Sequence, residues 1–200
     1  MRFSLAILAI VLMYTWLVDP IAPASVTPIP VALVLGLAIW HAARTGDWGV
    51  KAAAFVPALW QTAALTVAAA AAIYMTGSRL GTWHTQRNGW TALALLIPWG
   101  AGQQFALHTV FLREAQSTAG RRAGIAIAAA LFAVLHLPNP FLSAMTFAGA
   151  LAWCWIYDRA PNLLPLALSH ALLTLMILSA FDEATTGHLR VGAAFLALRP

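Results

Sequence analysis

Three apolar stretches of this chain carry polar side chains that could do chemistry, and in each stretch two of the motif positions lie four residues apart. They are Gln104 and His108, preceded by Gln103; Phe132 and His136; and His170 and Thr174. Four residues is about one helical turn, so both members of a pair lie on one helix face. Polar groups at membrane depth lose their water and usually face a bundle interior or a site. The three pairs therefore predict one buried polar site.

The composition predicts a membrane protein. The chain is 62% hydrophobic and only 8% charged, whereas about a quarter of the residues in soluble domains are charged. Its 200 residues suit a single integral-membrane domain covering 1–200, without a second soluble domain. The net charge of +5 is scattered, which predicts contact with a lipid bilayer and not with nucleic acid. A single cysteine excludes an intrachain disulfide.

Apolar runs separated by charged, proline or glycine residues predict an all-α polytopic bundle of about seven transmembrane helices. The predicted helices are Phe3–Val18, Ile29–Ala43, Ala52–Met75, Thr91–Leu112, Gly124–His136, Phe141–Tyr157 and Leu163–Phe181. Lysine and arginine are more frequent in the segments that share the N-terminal side, which predicts a cytoplasmic N-terminus. The first run is interpreted as a retained helix, and a cleaved signal peptide is the alternative.

The order and spacing of the three motifs resemble the CAAX-protease and bacteriocin-processing (CPBP) family of intramembrane proteases, which includes the type II CAAX prenyl proteases. The family pattern is Glu-Glu-x-x-x-Arg, then Phe-x-x-x-His, then His-x-x-x-Asn or Asp. The resemblance covers about residues 91–178. It implies a CAAX prenyl protease-like bundle, and hydrolysis of a peptide bond in a membrane-embedded or membrane-associated substrate.

The chain departs from the family pattern where that pattern has its acids. Gln103 and Gln104 replace the two glutamates, His108 replaces the arginine, and Thr174 replaces the Asn or Asp. In the family the first glutamate is taken as the base that activates water, and a glutamine cannot accept that proton. A positioned base contributes about 10²–10⁴-fold to a rate. Glu114 lies roughly 15 Å further along the same helix, too far to replace it directly.

Two functions therefore stay open at this stage. In the first, the chain is a divergent protease in which His136 or His170 is the base for a water oriented by the two glutamine amides and the Thr174 hydroxyl. In the second, it is a catalytically silent family member that binds membrane partners as a scaffold.

A third hypothesis concerns a metal. His108, His136 and His170 could hold a zinc ion with an open fourth position, which would generate hydroxide without a glutamate.

Overall fold

The structure is a computed structural model that describes residues 1–198, apart from the side chain of Ala24, and it is all-α. The α-helices are α1 (Arg2–Met13), α2 (Pro28–Thr45), α3 (Phe55–Leu80), α4 (Gly89–Phe105), α5 (Arg113–Ala119), α6 (Arg121–Val134), α7 (Pro140–Arg159), α8 (Leu163–Ala180), α9 (Glu183–Thr186) and α10 (Gly192–Leu196). Two π-helical segments, Tyr14–Val18 and Ala106–Leu112, continue α1 and join α4 to α5. Short 3₁₀ turns cover Ala24–Val26, Ala52–Ala54 and Gly187–Leu189.

Each of the seven predicted runs is helical. Some helix boundaries differ from the prediction, because polar residues continue the helix beyond its apolar run. The third helix continues past Met75 to Leu80 and ends at Gly81, whose φ of +70° suits the left-handed end of a helix. The fourth continues past Leu112 through the polar α5, because Arg, Glu, Ala and Gln are good helix formers. It ends at Gly120, with φ +80°.

The chain is an integral membrane protein. Within the described residues, four helices are long and apolar enough to cross a membrane: Pro28–Thr45, Ala52–Leu80, Pro140–Arg159 and Leu163–Ala180. The helix Arg2–Val18 is apolar but shorter. The number of crossings and the side of the N-terminus stay predictions.

The chain divides into two compact units, and the single-domain organisation stays a prediction. The first unit contains Met1–Trp48, Phe105–Cys154 and Gly187–Pro200, and the second contains Gly49–Gln104 and Trp155–Thr186. Each unit has its own internal packing.

In the second unit, α3 and α8 run parallel. At one end, the backbone N–H of Leu163 donates to the carbonyl of Gly49 over 2.9 Å. At the other end, Gly77 lies so close to Ala180 that a Cβ would come within 2.5 Å of the Ala180 carbonyl oxygen. α4 also approaches α8, because Gly100 lacks a side chain there and a Cβ would lie 3.3 Å from the carbonyl oxygen of Ala167. Small residues therefore allow these backbones to come close.

In the first unit, the carboxylate of Glu114, which is distant in the sequence, binds the N-terminus of α1. Glu114 accepts hydrogen bonds from the backbone N–H of Ser4 at 2.8 Å, from the Ser4 hydroxyl at 2.7 Å and from the backbone N–H of Phe3 at 3.2 Å. The first N–H groups of a helix have no partner inside the helix, and the helix dipole favours an anion there. The retained first helix stays a prediction, and a cleaved signal peptide stays its alternative.

Candidate functional site

The close approach of α4 to α8 brings one predicted pair of side chains together. Gln104 lies one turn after Gly100, and its side chain is fully buried. Its amide nitrogen Nε2 is 3.1 Å from Nδ1 of His170, which is itself buried. An amide nitrogen donates and does not accept, so Nδ1 accepts the bond and neutral His170 carries its proton on Nε2. Neutral His170 therefore has its N–H donor at Nε2.

Two residues near His170 in the sequence, Thr174 and Ser169, form hydrogen bonds with other groups of the protein. The Thr174 hydroxyl donates to the carbonyl of His170, one turn earlier in α8, over 2.9 Å. Its oxygen lone pairs keep their capacity to accept a bond. Ser169 contacts the hydroxyl of Thr66 on α3 at 2.7 Å, which ties α8 to α3. Gln103 is half-buried.

His136 lies in the first unit and has the opposite ring arrangement. It follows the end of α6, and its Nδ1 is 2.7 Å from the carbonyl oxygen of Phe132. A carbonyl can only accept, so Nδ1 carries the proton and Nε2 carries the lone pair. The Phe132 ring also meets the imidazole edge-on at 5.0 Å. The Phe-x-x-x-His spacing thus places His136 one helical turn after the Phe132 carbonyl that orients its ring. Nε2 is left as the basic atom of the ring.

The turn after His136 is fixed by Asn139, which the sequence analysis did not select. Asn139 is fully buried. Its backbone N–H donates to the carbonyl of His136 at 3.2 Å, and its side-chain oxygen accepts from the backbone N–H of Leu142 at 3.0 Å. This is the bonding of a helix N-cap, here for α7. The signal available in the sequence was an asparagine between two prolines directly before an apolar run.

His108 lies in the π-helical segment Ala106–Leu112, where every residue is buried. Its Nδ1 is 4.0 Å from Sγ of Cys154, and both side chains are fully buried. π-Helical turns are rare and often occur at functional sites. No motif in the sequence pointed to Cys154, because a lone cysteine in an apolar run is usually a small core residue.

The structure thus joins Gln104 to His170 in the second unit, and it places His108 and His136 in the first unit with separate partners. In the part of the chain that the structure describes, no three His, Cys, Asp or Glu side chains form a group that could hold a metal ion. Zinc binding by His108, His136 and His170 stays a prediction.

Residues 85–176 match the family model described as Type II CAAX prenyl endopeptidase Rce1-like. The matched segment contains all three motifs and nearly coincides with the 91–178 range inferred from them. No curated protein and no solved structure matches the chain.

Proposed function

Because the chain belongs to the CAAX-protease family, through its Rce1-like segment at residues 85–176, we propose that it is a divergent intramembrane endopeptidase. Its substrate is a membrane-associated peptide or protein, in which it hydrolyses a peptide bond. The family membership supports the class of reaction, and the side-chain geometry supports the assignment of roles.

His136 is the general base in this proposal. The bond from its Nδ1–H to the Phe132 carbonyl is the observation that carries the assignment, because it orients the ring and leaves Nε2 unprotonated. Nε2 takes a proton from a water molecule as the water oxygen attacks the scissile carbonyl carbon. The same proton then passes to the leaving nitrogen as the C–N bond breaks. A histidine base makes the family glutamate dispensable.

The other polar side chains of the motifs stabilise developing charge, orient groups of the site or pack the helices. His170 has its proton on Nε2, so it can donate to the carbonyl oxygen of the substrate as negative charge develops there. The Gln104 amide holds His170 in that tautomer. We assign to the Gln103 amide and the oxygen of Thr174 the role that the family motifs imply for them, which is to orient water. His108 is fully buried beside Cys154, so we assign it a role in packing the π-helical segment.

The test is hydrolysis of a fluorogenic, lipid-modified peptide ending in a Cys-aliphatic-aliphatic-X sequence by the purified protein in lipid nanodiscs. We expect turnover by the native chain and turnover lowered by about 10²–10⁴-fold in His136→Ala. Gln103→Glu returns the family acid and should raise turnover. If only Gln103→Glu cleaves the peptide, the native chain is a degenerate enzyme and the proposal is wrong.

The replacement of both family glutamates favours a second function, that of a catalytically silent scaffold. The Gln104–His170 bond joins two helices, which is also how polar side chains stabilise membrane bundles. A scaffold should retain a membrane partner in detergent after His136→Ala and His170→Ala. Loss of the partner in both variants would contradict this function.

We also infer that the N-terminus is cytoplasmic, because lysine and arginine are concentrated in the segments that share its side. A reporter enzyme fused to the N-terminus and active only in the cytoplasm tests this. Activity of the same reporter only outside the cytoplasm would contradict it.

A further inference from the structure

The C-terminal segment 187–198, here called the strap, is bonded to the turn that follows His136. The backbone N–H of Gly192 donates to the carbonyl of Leu137 over 2.8 Å. The side-chain nitrogen of Asn139 donates to the carbonyl of Arg190 over 3.1 Å. Both ends of the residue stretch 137–139 are therefore held by backbone groups of the strap. No motif of the family resemblance includes these residues.

Asn139 transmits this contact to His136. The same asparagine donates from its backbone to the His136 carbonyl and caps α7 through its side-chain oxygen. It is fully buried, and its replacement by alanine removes two hydrogen bonds, each of which contributes about 0.5–1.5 kcal/mol. One side chain thus links the strap, the start of α7 and the backbone of the histidine.

The strap has a conformation that needs external support. Gly187, His188 and Leu189 form a left-handed turn with φ values of +58°, +53° and +54°. For each residue other than glycine, this conformation costs about 1–2 kcal/mol. Strain of this kind persists only when surrounding contacts enforce it, and it occurs often at functional positions.

Two glycines show which contacts hold the strap in this left-handed conformation. A Cβ on Gly187 would lie 2.4 Å from the Phe195 ring and 3.0 Å from Nδ2 of Asn139. A Cβ on Gly192 would lie 2.2 Å from the backbone carbonyl oxygen of Thr15. Since Gly192 also has φ +58°, any side chain there would displace the strap from Thr15 and from the Leu137 carbonyl.

We propose that the strap, acting through Asn139, is a positioning element for His136. It fixes the backbone of the turn that carries the imidazole, so that Nδ1–H stays on the Phe132 carbonyl and Nε2 keeps one direction. This inference deepens the proposed function and rests on it for the catalytic consequence, but the positioning itself is measurable without any turnover.

The chain offers a matched control for Asn139. Asn162 is also a buried helix N-cap: its side-chain oxygen accepts from the backbone N–H of Leu164 at 3.1 Å, and its side-chain nitrogen donates to the carbonyl of Lys51 at 3.1 Å. It caps α8 in the second unit. Asn139→Ala and Asn162→Ala therefore remove the same chemical groups, and only the first removes a contact to the strap.

The experiment is NMR of [¹⁵N]histidine-labelled protein in nanodiscs, with the His136 ring signals assigned by their loss in His136→Gln. In the native chain we expect one tautomer, protonated at Nδ1. Asn139→Ala should give averaged ring signals of both tautomers, and Asn162→Ala should leave the His136 signals as in the native chain. Unchanged signals in Asn139→Ala, or equal changes in both variants, would overturn the proposal.

A second pair of variants keeps the proposal testable if Asn139→Ala does not fold. Gly192→Ala should also average the His136 ring signals, whereas Gly36→Ala, where a Cβ meets nothing within 4 Å, should not. Averaging in neither variant would overturn the proposal.

Turnover then separates the two proposals. If the native chain cleaves the peptide, kcat should fall about 10²-fold in Asn139→Ala with little change in KM. If the native chain cleaves nothing but Asn139→Ala averages the His136 ring signals, the strap proposal stands and the protease is rejected. Cleavage that Asn139→Ala leaves unchanged would reject the strap alone.

Discussion

His136 and His170 are the same residue type in two family motifs, yet their partners give their rings opposite chemistry. The partner of His136 is a backbone carbonyl, which accepts, and the partner of His170 is a side-chain amide nitrogen, which donates. Nε2 is consequently the basic nitrogen of His136 and the protonated nitrogen of neutral His170. Motif spacing located both histidines, but the atom on the other side of Nδ1 determines what each can do.

The first test of this comparison is whether the two histidines contribute differently to turnover. We expect His136→Ala to lower turnover by about 10²–10⁴-fold, the usual contribution of a general base. His170→Ala should cost about 10²–10³-fold, the usual cost of removing one donor to the developing negative charge. Single-turnover cleavage of the lipid-modified peptide measures both.

His41→Ala is the control for losing a buried imidazole outside the motifs. Its Nδ1 is buried and has no hydrogen-bond partner within residues 1–198, so its removal should preserve turnover. A larger loss in His170→Ala than in His136→Ala would contradict the assignment of the base.

A single substitution should convert the ring of His170 to the tautomer of His136. In Gln104→Glu the atom facing Nδ1 becomes a carboxylate oxygen, which accepts. Nδ1 then carries a proton whether or not Nε2 is also protonated, because the carboxylate is an acceptor in either case. Ring ¹⁵N signals of His170 should show Nδ1 change from unprotonated to protonated.

Gln61→Glu is the matched control, because the Gln61 amide donates to a carbonyl of its own helix, that of Pro57. His170 signals should be unchanged in this variant. A protonated Nδ1 of His170 in the native chain would show that its partner is not the amide nitrogen, and the comparison would fail.

The sequence predicted the helices better than the site, for a physical reason. Apolar runs such as Leu163–Phe181 locate helices because a segment in lipid must satisfy its backbone internally. Side-chain pairs between helices depend on which faces meet, and sequence periodicity does not determine this. Gly100 lies against α8 near His170, and the sequence did not indicate that these two helices would meet there. Asn139 and Cys154 belong to no motif, so only the packing revealed them.

A smaller effect should appear at the N-terminus of α1. Burial alone would raise the pKa of Glu114, but hydrogen bonds from Ser4 and Phe3 and the nearby terminal amine lower it below its ordinary value of 4.5. A carboxyl with a lowered pKa in the folded state stabilises the fold above pH 4.5, and that contribution is lost as the pH falls through the lowered value. We expect Glu114→Gln to cost about 1 kcal/mol at neutral pH.

Thermal unfolding in nanodiscs between pH 7 and pH 3 measures this effect. The loss of stability at low pH should be smaller in Glu114→Gln than in the native chain. Ser4→Ala should reproduce part of the change, and Ser117→Ala should not, because Ser117 is exposed and donates to the backbone carbonyl of Glu114 instead of its carboxylate. Identical pH profiles for all four proteins would contradict this account of α1.

The smallest expected effect is that of removing metal. Zinc would need a lone pair from each of His108, His136 and His170 at about 2.1 Å. The described residues contain no group of three His, Cys, Asp or Glu side chains that could hold a metal ion. A base on His136 also makes a metal hydroxide unnecessary. We therefore expect purified protein to contain less than one zinc per chain, and o-phenanthroline to leave turnover unchanged. One zinc per chain, lost in each of His108→Ala, His136→Ala and His170→Ala, would instead make the two compared histidines ligands of one ion and require the tautomer of His170 to be reassigned.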